Sequence, residues 1–181
     1  MGTSAGGLYA LSFLLEKLPV EFSLPVIIVQ HRMNDKQELL EEILQMKCSL
    51  PVKQADEKET IVSGVVYLAP PGYHLLIETD RTFSLSVDRP VSYSRPSIDV
   101  LFETAAYAYR EGLIGIILTG SNRDGAEGIS TVSKCGGLTI AQDPEEAQYP
   151  SMPAAAIATR SVRRIFTLEE ISNFLLKISA V

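Results

Sequence analysis

The 181-residue chain has no tryptophan, only two cysteines and only two histidines. Each shortage narrows what the protein can be. Cys48 and Cys135 share no CxxC spacing and no histidine cluster. That argues against a zinc site or a disulfide framework and for reduced, buried thiols. No apolar run approaches the roughly 18 residues of a membrane span, and the N-terminus lacks the charged and apolar segments of an export signal, so a cytoplasmic location is expected. Positive charge is also short: 16 basic against 22 acidic residues leave a net charge of −6. Such a chain carries no electrostatic footprint for nucleic acid or an anionic membrane.

What is present is an ordinary globular mixture, 46% hydrophobic and 21% charged, long enough for one sizeable core. Apolar residues at helical spacing (Leu8, Leu11, Leu14, Leu15, Leu18) precede a continuous β-branched run, residues 25–30, of the kind that lies buried in a parallel sheet. Residues 37–46 read as an amphipathic helix and 65–68 as another strand. Residues 74–78 and 83–87 flank a turn and form an expected antiparallel hairpin. Ser97 is placed to cap a helix reaching about Arg110, with Asp99 in its first turn. Strand 113–118, helix 125–135 and strand 138–141 follow. Thr167-Leu168-Glu169-Glu170 is a capping box opening the last helix. The expected fold is therefore a single α/β domain over 1–181: a three-layer, doubly wound, mostly parallel sheet with helices on both faces and a local hairpin.

The segment Gly2-Thr3-Ser4-Ala5-Gly6-Gly7 sets one serine among glycines just ahead of the first helix. Such a turn can expose a nucleophilic hydroxyl beside helix-start amides, and it can equally cradle a phosphate. A nucleophile turn normally follows a strand. Here only Met1 stands ahead of Gly2, so the expected first strand is missing from the sequence.

A serine nucleophile needs a base and a carboxylate that orients the base. His31 follows the strand ending at Gln30, on the side where parallel sheets build sites. It is thus a better candidate by position than His74, which follows the Pro70-Pro71-Gly72 turn. Either could instead be a solvated or hydrogen-bonded loop histidine. Strand 113–118 runs into Thr119-Gly120-Ser121-Asn122-Arg123-Asp124-Gly125, where Asp124 reads either as the third member or as a plain helix N-cap. The segment Arg95 to Asp99 reads first as architecture, with a site-lining role for Arg95 as the alternative.

Several of these stretches together resemble the catalytic domain of the CheB family, the chemotaxis protein-glutamate methylesterases. Gly2 to Gly7 is similar to that family's GxSxGG, and Gln30-His31 to its QH. Residues 95–102 are similar to its RPSVDVLF. Leu118-Thr119-Gly120 with Asp124-Gly125-Ala126-Glu127-Gly128 is similar to its LTGxxxDGAxG, and Ala141-Gln142 and Met152-Pro153 to its last strand-to-helix stretch. The resemblance implies a triad of Ser4, His31 and Asp124. It also implies hydrolysis of glutamate γ-methyl esters, and deamidation of glutamine, on the cytoplasmic helices of chemoreceptors. Neither metal nor organic cofactor is implied. The backbone amides of Ala5 and Ser121 are the expected oxyanion donors. The chain departs from the family where Thr often stands (Ala5) and where Met often stands (Ser121). It also lacks the receiver domain of the two-domain members, so activity without phosphorylation, or gating by a separate protein, is expected. Three other readings remain: an esterase or amidase on another substrate, a docking module without turnover, and a nucleotide-binding domain. The absence of a Lys in the first loop weighs against the last.

Overall fold

The computed structural model describes residues 1–31 and 39–179, with nothing stated for the Leu39 side chain. Nine strands and six α-helices are defined among them. Gly2–Thr3 (β1) turns into Gly7–Glu16 (α1), which returns to Val26–Gln30 (β2). Leu39–Gln45 (α2) follows; residues 37 and 38 of the expected helix lie outside the described residues. Val52–Gln54 (β3) and Val66–Leu68 (β4) complete this half, and His74–Ile77 (β5) with Phe83–Ser86 (β6) forms a separate antiparallel hairpin. The second half is Ile98–Tyr109 (α3), Ile114–Ile117 (β7), Ala126–Lys134 (α4), Leu138–Gln142 (β8), Ser151–Ala158 (α5), Arg164–Phe166 (β9) and Leu168–Ser179 (α6).

Seven strands form one parallel sheet in the order β3-β4-β2-β1-β7-β8-β9. Alternation along each strand sorts side chains between the two faces. Val26, Ile28, Ile116 and Leu118 pack with Leu11, Leu14 and Leu15 of α1 and with Ile171 and Leu175 of α6. Val29 and Ile117 pack on the opposite face with Ile98, Leu101 and Phe102 of α3, Ile129 of α4 and the hairpin's Leu75 and Phe83. Three layers, the parallel sheet and the hairpin all match the expectation.

The expectation of a missing first strand needs correcting. Gly2–Thr3 is itself the central strand, in register with Val29–Gln30 on one side and with Ile117 on the other. Even Met1 continues this ladder, its carbonyl accepting from the Val29 amide at 3.0 Å. Met1, Val26, Ile27, Ile114 and Ile116 line an apolar cleft of about 200 Å³. The strand escaped the sequence reading because two residues, one of them glycine, carry no periodicity. The edge strands β3 and β9 were missed for a similar reason: three residues each, with Lys53 and Arg164 inside them.

This strand order positions the site. The chain winds from β1 toward β3 on one side and from β7 toward β9 on the other, so the order reverses beside β1. At such a switch point the loops leaving adjacent strands diverge and open a crevice. The loops after β1, β2 and β7 meet there.

Candidate active site

The turn after β1 is held open by its neighbours. The Ser4 amide donates to the Thr119 carbonyl at 3.0 Å, and Gly7 N–H closes the turn onto the Ser4 carbonyl at 2.9 Å. Gln30 Nε2 also donates to the Ser4 carbonyl at 2.9 Å, and Thr119 Oγ1 donates to the Ala5 carbonyl at 3.0 Å. Gln142 Oε1, at the end of β8, accepts the Thr119 amide at 2.9 Å. Gln30, Thr119 and Gln142 are thus the frame of the turn. Gly6 has φ +78°, and a Cβ there would stand 2.9 Å from Gln148 Oε1. Left-handed backbone in so close a space selects glycine.

His31 leaves β2 with its amide bonded to the Thr3 carbonyl at 2.9 Å, so its position is tied to the turn's own strand. Its Nε2 lies 2.7 Å from Asp124 Oδ2, with side-chain exposures of 10% and 0%. Ser4, Ala5, Gln30 and His31 line one open groove of about 790 Å³. Ala5 therefore faces the groove. Ser121 is exposed on the next loop and is not part of that lining.

Asp124 does not cap its own helix: Gly125, at φ 96°, is the N-cap of α4. Its carboxylate instead sits on the start of α3. Oδ1 accepts from Ser97 Oγ at 2.8 Å and from the Asp99 amide at 3.1 Å, while Oδ2 accepts from the Ile98 amide at 2.7 Å. A helix N-terminus is where orphan N–H groups and the dipole favour an anion. Burial by itself would raise the Asp124 carboxyl. The hydrogen bond from His31, the two amides and the His31 charge outweigh it and hold the group below the usual carboxylate range.

Asp99, in the first turn of α3 as expected, also reaches a second helix. Its Oδ1 accepts from the Gly128 amide in the first turn of α4 at 2.7 Å. Burial, with the Asp124 charge adding to it, pushes this carboxyl up to about 7.

His74 is neither solvated nor on a loop. It is 2% exposed on β5. Its Nδ1 accepts the Ser97 amide at 3.2 Å, and its Nε2 meets the Arg89 carbonyl at 3.1 Å. Arg95 donates to the Val87 and Asp88 carbonyls at 2.7 and 3.0 Å, an architectural contact rather than a place in the groove. A residue that sequence reasoning passed over is Asn122. Its Nδ2 lies 3.1 Å from His31 Nδ1, and its Oδ1 accepts the Asp124 amide at 3.1 Å. No local pattern signalled it beyond its place two residues before Asp124.

Cys48 is buried and Cys135 half-buried, and both are free thiols. Among the described residues no group of His, Cys, Asp and Glu is arranged to hold a metal ion, and no helix is long and apolar enough to cross a membrane.

Comparison with known proteins places this geometry in context. The family model described as CheB methylesterase matches residues 1–175. A Leptospira interrogans protein, provisionally named protein-glutamate methylesterase/protein-glutamine glutaminase, is 47% identical over 98% of this chain and 92% of its own length. Proteins of that name from Archaeoglobus fulgidus and Chromobacterium violaceum are 36% and 38% identical over 97% of the chain. The chain spans only about half the length of these two, 52% and 49%. The crystal structure of the Thermotoga maritima CheB methylesterase catalytic domain superposes with a TM-score of 0.93 at 30% identity, covering 98% of this chain and 95% of that one.

Proposed function

Because the chain belongs to the CheB methylesterase family, we propose that it hydrolyses glutamate γ-methyl esters, and deamidates glutamine, on the cytoplasmic helices of chemoreceptors as part of chemotactic adaptation. Ser4 is the nucleophile, His31 the base and Asp124 the group that orients the base. The observation that carries this reading is the 2.7 Å contact between His31 Nε2 and buried Asp124 beside a groove that Ser4 also lines.

Asp124 takes the proton-bearing side of the imidazole, which leaves Nδ1 as the atom able to receive the Ser4 proton. Ser4 Oγ then bonds to the γ-carbonyl carbon, and the carbonyl electrons move onto oxygen. The Ala5 amide, whose residue lines the groove, is the first donor proposed for that oxyanion, worth about 2.7–4 kcal/mol if it acts as such donors do elsewhere, and the Ser121 amide, on the loop beside that lining, is the second. Collapse breaks the bond to the methoxy group, and His31 returns the proton to departing methanol. Water repeats the sequence on the acyl-enzyme and frees the carboxylate. Where glutamine is the substrate, ammonia leaves instead.

The rim suits a protein substrate. Tyr9 is 67% exposed and Ile43 39% exposed on the groove's border, offering apolar contact to one face of an amphipathic helix. The test is methanol release from methylated receptor fragments. Release by the wild type, abolished in Ser4→Ala and in His31→Gln, supports the reading. A wild type that binds the fragments but releases no more methanol than Ser4→Ala would make the protein a docking module.

A further inference from the structure

We propose that Asn122 is a positioning residue for His31: its amide holds Nδ1 as a lone-pair acceptor in the resting site and is displaced by the Ser4 hydroxyl when substrate is bound. The inference rests on the reading above, in which His31 is the base.

The hydrogen-bond partners settle which way the Asn122 amide points. The Asp124 backbone N–H can only donate, so the group 3.1 Å from it must be the Asn122 carbonyl oxygen. The NH2 end therefore faces His31 Nδ1 at 3.1 Å. An NH2 group has no lone pair to offer, so Nδ1 has to accept. The ring proton is then on Nε2, directed at Asp124 Oδ2 at 2.7 Å. Two neighbours, one on each nitrogen, select a single tautomer, and it is the one in which Nδ1 can act as the base.

The same contact imposes a condition on turnover. Nδ1 has one in-plane lone pair. While the Asn122 amide occupies it, the Ser4 hydroxyl cannot donate there. Once the Ser4 proton moves onto Nδ1, a ring N–H would confront the amide N–H, donor against donor. Asn122 must therefore leave Nδ1 as the Ser4 hydroxyl arrives, and it can return when His31 passes the proton to the leaving group and the lone pair reappears. Its tether is short, because Oδ1 is anchored on the adjacent Asp124 amide.

The charged groups facing His31 among the described residues are Asp124 in direct contact, Asp99 behind it on α3, and Glu16 and Lys47 in the lining of the groove. Asn122 also holds the Asp124 amide, so a variant that keeps an acceptor for that amide is needed beside the alanine variant.

The experiment is 15N NMR of histidine-labelled protein across pH, alongside the pH profile of kcat/KM for methanol release. With two histidines in the chain, the His31→Gln spectrum identifies the His31 signals. The expected wild-type spectrum has a bare, hydrogen-bonded Nδ1 and a protonated Nε2. In Asn122→Ala the His31 titration midpoint rises by about 0.5–1 pH unit, the size expected for one lost hydrogen bond to the neutral ring. The acid limb of kcat/KM moves with it. In Asn122→Asp the midpoint rises further, because a carboxylate accepts from Nδ1–H. Asn122→Ser retains a hydroxyl acceptor for the Asp124 amide and guards against simple misfolding of the alanine variant; its midpoint also rises. A wild-type proton on Nδ1, or a midpoint equal in wild type and both Ala and Ser variants, overturns the proposal. A merely structural role would lower the rate at every pH and leave the acid limb in place. The NMR arm needs no substrate. If no methylated fragment is ever turned over while the midpoints keep their order, the functional reading fails and the positioning of His31 stands.

Discussion

Asp99 and Asp124 each sit at the start of one helix and cap the other. Asp124, just ahead of α4, accepts the first two amides of α3, while Asp99, in the first turn of α3, accepts the Gly128 amide of α4 at 2.7 Å. The exchange pins two helix N-termini together beneath His31. It also places two carboxyls close enough that each affects the other's charge, Asp124 held low and Asp99 pushed up to about 7. In the resting arrangement Asp124 carries the charge that His31 faces, and Asp99 gives way.

Asp99→Asn should flatten part of the pH dependence of stability. The native Asp99 carboxyl is raised to about 7 against an unfolded value of about 3.9. The folded protein therefore binds the proton more tightly, and stability falls as pH climbs from about 4 to about 7. An asparagine can keep the acceptor for Gly128 without the ionisation. Urea unfolding at pH 5 and pH 8 checks this: the loss of stability between the two pH values should be smaller in Asp99→Asn than in the wild type.

Ser97→Ala removes a hydroxyl from Asp124 Oδ1 and the side-chain cap of α3, whose Ser97 Oγ accepts from the Val100 amide. Stability should fall by about 0.5–2 kcal/mol, and kcat should fall more than KM rises, because Asp124 is left less firmly oriented. Ser97→Thr, which keeps the hydroxyl, should recover most of both. Steady-state kinetics and thermal unfolding on the three proteins test this together.

Gly6→Ala forces a side chain onto a residue at φ +78° and against Gln148 and Thr119. A cost of about 1–3 kcal/mol is expected from the backbone alone. The accompanying shift of the Ser4 turn should reduce kcat at least tenfold. An unchanged rate would show that the turn tolerates a different backbone conformation.

His74→Gln should retain most activity per folded molecule, since His74 touches neither the groove nor His31. Stability is another matter. His74→Leu leaves the buried Ser97 amide and the Arg89 carbonyl without their partner, at a cost of about 1–3 kcal/mol. Melting temperatures set against specific activity separate the two effects.

Asp124→Asn should lower kcat by about 10⁴, the scale seen when an orienting carboxylate is replaced and the imidazole tautomer is lost. Rate measurements at saturating substrate, with circular dichroism to verify folding, test it.

Much of this protein was legible in the chain itself, and for a local reason. The β-branched run at Val26–Gln30, the periodic apolar faces of α1 and α6, and the reciprocal box between Thr167 and Glu170, observed at 2.8 and 3.2 Å, follow from neighbours a few residues apart. So does the glycine-flanked serine turn, with its need for left-handed backbone at Gly6. Tertiary structure alone decided what those residues meet. His31 and Asp124 are 93 positions apart, and their 2.7 Å contact exists because β1 lies between β2 and β7 and brings both loops to one crevice. The order of strands likewise turned a two-residue stretch with no periodicity into the centre of the sheet. It sent Asp124 to the wrong helix for an ordinary cap, buried His74 behind Ser97 and set Asn122 against His31 Nδ1. Pattern along a chain reports which face a side chain takes; only the closed packing of layers determines the partner waiting on that face.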